Sequence, residues 1–135
     1  MRVAEKKPKQ EKIHVKIGDF SVETFIKISK KKIRVKENLT YFWYKSRSIN
    51  STKGGYSGQL LDGNYDRFDM DKKLIEQGKF VTGLKHGIWK IWHPNGELKS
   101  KIYYRKGLKH GLEVVFNSEG VVIGEYKYSR GNLNH

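Results

Sequence analysis

The chain has 135 residues, enough for one domain, and its 13 % aromatic content excludes full disorder although only 36 % of residues are apolar. It has no cysteine, which excludes a disulfide framework, a thiolate-bound metal and a cysteine nucleophile. The formal net charge is +14, a balance that attracts acidic surfaces and disfavours basic partners.

Residues 1–12 are rich in Lys, Glu and Gln and are expected to form a basic mobile tail. They carry no signal-peptide pattern, and no apolar run in the chain is long enough to span a bilayer. The sequence as given therefore points to the cytoplasm. A true start further upstream, encoding a signal peptide, would instead place the protein in the periplasm or cell envelope.

Over residues 13–38 the pattern becomes period two. Ile13, Val15 and Ile17 alternate with His14 and Lys16, and Val22, Thr24 and Ile26 alternate with Glu23 and Lys27. Ile33 and Val35 alternate with Lys32, Arg34 and Lys36. Two or three strands are expected, acting as an N-terminal cap on the sheet that follows. Residues 1–36 hold 12 of the 28 basic residues and only 4 of the 14 acidic ones, so weak non-specific contact with acidic surfaces is expected there. Lys outnumbers Arg 22 to 6, which fits solvated strand faces better than base or phosphate recognition.

From residue 39 the chain repeats with a period of 24. Gly63, Gly87 and Gly111 share one column, and Gly83, Gly107 and Gly131 another. The segment Gly83-Leu84-Lys85-His86-Gly87 recurs unchanged at 107–111. Phe68, Trp92 and Phe116 align, as do Phe80, Tyr104 and Tyr128. The units are 63–86, 87–110 and 111–134, with a degenerate unit at 39–62, in a repeat array covering 39–135. In the central unit, Ile88 to Trp92 is a β-branched and aromatic run, Pro94-Asn95-Gly96 a hairpin signal, and Leu98 to Tyr104 an alternating strand. Each unit is therefore a β-hairpin with a linking turn. The fold class is all-β: an antiparallel meander of tandem 24-residue hairpins with extra N-terminal strands, since a lone hairpin needs its neighbours for stability. The edge strand is expected at about 122–128.

The run Gly-Leu-Lys-His-Gly followed by Ile-Trp-Lys-Ile-Trp-His-Pro-Asn-Gly-Glu-Leu-Lys resembles a MORN repeat. It is most similar to the bacterial variant found in YwqK-like antitoxins. The resemblance implies a binding scaffold, and a role as an antitoxin or immunity-type protein that blocks a toxin.

No catalytic constellation is legible, so no enzyme activity, cofactor or metal is expected. His86 and His110 share a column, but equivalent positions in successive hairpins lie about 9.5 Å apart, too far for comfortable sharing of one ion. The two aromatic columns are expected to form core ladders: Phe68, Trp92 and Phe116, and Phe80, Tyr104 and Tyr128. Candidate partner-binding residues are Tyr65, Trp89, Lys90, Lys99, Lys101 and Tyr103. Tyr65 and Trp89 have a second reading, in which they pack under the N-terminal strands. The expected function is non-catalytic binding of another protein. The alternatives are a cell-envelope scaffold, or electrostatic binding of anionic lipid or nucleic acid.

Overall fold

The computed structural model describes residues 9–134; the first eight residues of the expected tail lie outside them, and its last three, Gln10 to Lys12, are paired as part of the first strand and do not belong to a tail. The described chain is all-β, built from antiparallel pairs. Strands β1 (Gln10–Ile17) and β2 (Phe20–Lys27) form a hairpin around Gly18. The chain then leaves this sheet and forms β3 (Thr40–Lys45), β4 (Ser48–Lys53) and β5 (Gln59–Leu60), which pair as a separate three-stranded sheet. It returns as β6 (Gly63–Phe68) beside β2. From there it runs as a meander through β7 (Leu74–Val81), β8 (Leu84–Trp92), β9 (Leu98–Arg105), β11 (Gly111–Phe116), β12 (Val122–Ser129) and β13 (Asn132–Asn134). The short β10 (Leu108–Lys109) pairs with β9.

The 24-residue period appears directly in the hydrogen bonds. The amides of Gly83, Gly107 and Gly131 donate to the carbonyls of Leu61, Lys85 and Lys109 at 2.7, 2.9 and 3.0 Å. Each of these glycines follows a left-handed residue, Thr82, Lys106 or Arg130, and is itself left-handed. That is the backbone of a two-residue type I′ turn, whose twist suits a hairpin. A leucine of the preceding unit lies over each glycine: a Cβ on Gly83 would meet Leu60 at 2.6 Å, and one on Gly107 would meet Leu84 at 3.0 Å.

The structure corrects the expected turn chemistry. Asn95-Gly96 is not a two-residue turn. The His93 amide donates to Glu97 O and the Gly96 amide to His93 O, and only Gly96 is left-handed. Pro94, with its preset φ, leads a three-residue loop closed by a left-handed residue. Lys72 and Gly120 take the same left-handed position in the neighbouring units. Gly87 and Gly111 also have positive φ, although they lie within or at the start of β8 and β11 and not in turns.

Three further expectations change. Residues 39–62 do not continue the meander. The run Tyr41-Phe42-Trp43-Tyr44 is aromatic on both faces, and a strand of that kind needs cover on both sides. Phe42 and Tyr44 face the long sheet, whereas Tyr41 and Trp43 join Leu39 and Leu60 in a second buried cluster. Residues 33–36 form no strand. Ile33 and Val35 still point inward against that second cluster, and the amides of Ile33 and Lys36 donate to the hydroxyls of Tyr56 and Tyr41. The C-terminal edge is β13, not β12, because Lys127 to Ser129 pair with Asn132 to Asn134.

Three layers result: the long sheet, the small sheet on one of its faces, and residues 28–39 over the small sheet. A knot of backbone bonds joins the first two. Phe42 N donates to Gly83 O, Leu61 N to Phe42 O and Gly83 N to Leu61 O. Asp62 locks the same corner by accepting from the Thr82 amide at 2.8 Å.

Candidate protein-binding face

The small sheet gives the long sheet one covered face and one open face. On the covered face Ile26, Leu61, Phe80, Trp89 and Ile102 are buried, with Tyr65, Tyr104 and Tyr128 packed against them. Phe80 and Trp89, 1 % and 2 % exposed, meet edge to face with ring centroids 5.0 Å apart. Tyr65 lies 5.4 Å from both. The second expected ladder, Phe80, Tyr104 and Tyr128, thus belongs to the core. The first does not: Phe68, Trp92 and Phe116 are half-buried and lie outside both buried clusters. Each follows a β-bulge at the end of its strand, after Arg67, Ile91 or Val115. Trp89 and Tyr65 are packing residues and are not available as a partner face.

The covered face also holds charge. The Lys85 ammonium sits 4.7 Å from the Trp89 ring centroid, 5.2 Å from Tyr104 and 5.4 Å from Phe42. Burial lowers its pKa despite the attraction of Glu76. The π faces around it offset part of the lost hydration. Its counterpart one unit later, Lys109, lies over Tyr128 and 3.3 Å from Glu113. There burial opposes the charge, but the carboxylate outweighs it and the pKa rises.

Tyr65 has its hydroxyl pushed up to about 12, first by burial and then by Glu76. The unfolded chain ionises near the ordinary value of 10, so it releases a proton that the folded state retains. Stability carried by the neutral phenol is present below about pH 10 and is lost as pH rises from 10 toward 12. Tyr65→Phe should flatten the alkaline decline in that window, measured by urea denaturation at successive pH values. An unchanged slope would show that Tyr65 does not carry the effect.

The open face carries the remaining candidates. Strand pairing aligns Glu23, Asp66, Gln77, Lys90, Lys101, Val114 and Glu125 in one row across the sheet. At its centre Lys90 and Lys101 stand directly opposite each other. Like charges in that position destabilise a sheet. Lys99 shares the face, one alternation from Lys101. The next row pairs Ile88, 51 % exposed, with Tyr103, 38 % exposed. The Tyr103 ring is flanked by His86 and His110 at 6.3 and 6.2 Å. Leu112 is exposed on the adjoining strand. His86 and His110 thus bracket an exposed aromatic; their shared repeat column was the signal for it. Among the described residues no three His, Asp or Glu side chains converge as a metal cage.

Residues 85–106 match the MORN repeat variant, a stretch that includes all of β8 but Leu84, its hairpin loop and β9. No curated protein and no solved structure matches the chain. The central hairpin of the repeat array is thus similar to the MORN repeat variant.

Proposed function

We propose that this protein is a non-catalytic protein-binding scaffold, and that it binds through the open face of the long sheet. The observation that carries this reading is the direct opposition of Lys90 and Lys101 beside Tyr103 and Ile88. The sheet holds a repulsive pair next to exposed apolar and aromatic groups, a combination that an acidic partner with an apolar centre would relieve. Tyrosine on a rigid strand makes an effective interface anchor. An antitoxin or immunity-type role is the specific form of this reading that the repeat resemblance implies. The net charge of +14 restricts the toxin to an acidic protein, because a basic one would be repelled.

Lys101→Glu separates binding from folding. It turns a like-charged pair into an attractive one, so stability should rise by about 0.5 kcal/mol. Capture of an acidic partner by the immobilised protein should fall at least tenfold. Tyr103→Ala should also weaken capture while leaving the melting temperature within a few degrees of the parent. A partner held equally by parent and both variants would place the binding surface elsewhere.

A further inference from the structure

The two turns that end the last repeats differ chemically from the turn before them. In the repeat columns, Val81-Thr82 is followed by Arg105-Lys106 and then by Ser129-Arg130. The cationic versions occur where residues 36–39 cross beside the sheet. There a cleft of about 530 Å³ is lined by Lys36, Arg105, Lys106 and Arg130, with Leu39 and Leu108 as its apolar wall. Among the described residues no carboxylate lines it, and none of the four cations has an ion-pair partner. His110, Asn38 and Ser129 add polar groups.

Lys106 and Arg130 also occupy left-handed positions, with φ of 49° and 51°. Asn is the residue that such a turn position ordinarily prefers. Two long cations stand instead at a place where local stability favours another residue. Arginine's planar fork matches phosphoryl oxygens, and two of the chain's six arginines meet in this cleft. The volume falls within the usual range for small-molecule sites, about 300–1,000 Å³.

We propose that this cleft binds a soluble small molecule bearing at least two adjoining phosphoryl groups. The charge count sets the number. One phosphate monoester carries about −1.5 to −2 at neutral pH, so a single group would leave about half of four fixed cations uncompensated. A diphosphate, at about −3, offsets most of that charge, and Leu39 and Leu108 accept the body of the molecule. The cleft adjoins the open face at His110, which also flanks Tyr103, but it is lined by neither Lys90, Lys101 nor Tyr103 and does not depend on the partner proposed above.

The test is titration calorimetry with inorganic pyrophosphate on the full chain at low ionic strength. Saturable binding is expected, at least tenfold tighter than for inorganic phosphate. The double variant Lys106→Asn with Arg130→Asn should fold at least as well as the parent, because Asn suits both turns, and should bind at least tenfold more weakly. The charge-matched control, Lys99→Asn with Lys101→Asn, removes the same two charges from the open face and should leave affinity within about twofold. Equal losses in both variants would reduce the effect to overall charge and overturn the site. So would phosphate binding as tightly as pyrophosphate, or the absence of saturation. Anionic phospholipid vesicles form the last arm: binding to vesicles with no response to soluble pyrophosphate would overturn a soluble ligand.

Discussion

Replacing Trp89 by Ala is expected to lower the unfolding free energy by about 3–5 kcal/mol, the range for truncating a large buried aromatic. The indole is 2 % exposed and is packed by Phe80, Tyr65 and Tyr104, with the Lys85 ammonium over its face. Truncation empties the centre of the core and removes the strongest of the π faces that offset the burial of Lys85. A domain of this size has about 5–15 kcal/mol in total, so the variant would lose at least about a fifth of its stability and at the low end all of it. Trp92→Ala, three residues along the same strand, should cost about 1–2 kcal/mol, because its side chain is only half-buried. Urea denaturation followed by circular dichroism checks both; fluorescence would confuse them, since each variant removes a reporter. A larger loss at Trp92 than at Trp89 would show that the core lies on the other face.

Gly78→Ala is the second large effect, at about 3 kcal/mol, although it adds only one methyl group. Gly78 stands on β7 where the Trp89 indole crosses the backbone, and a Cβ there would fall against the ring carbons Cδ2 and Cε2. The ring cannot retreat, because Phe80 and Tyr65 hold it. Gly87→Ala provides the contrast. A Cβ at Gly87 meets nothing within 4 Å, so only the left-handed backbone opposes it, at about 1–2 kcal/mol. The same denaturation series ranks the two. If Gly87→Ala proved the more damaging, backbone conformation rather than ring packing would dominate at these glycines.

The sequence alone determined the hairpin repeat, because its signals are local. Alternation marks strands, recurring glycines mark turns, and a fixed 24-residue spacing repeats both; that the two-residue I′ turns lie at Gly83, Gly107 and Gly131 and not at Asn95-Gly96 came from the structure. The Phe80, Tyr104 and Tyr128 column was legible for the same reason, and so were Lys90, Lys99, Lys101 and Tyr103 as surface residues. What only the tertiary structure decided was the identity of the buried face. Ile88 to Trp92 has an aromatic residue on either side of any period-two assignment, so alternation cannot rank Trp89 against Trp92. The small sheet of residues 40–60 settles the matter by covering Phe80 and Trp89, which makes the burial of Trp89 a property of a segment far away in the chain. That segment repeats the ruler only weakly because its aromatic run is buried on both sides, a condition that no strand with one open face can meet. The cationic cleft is likewise non-local. Lys36 lies 69 residues before Arg105, and only the crossing of residues 36–39 beside the last two turns brings their charges together.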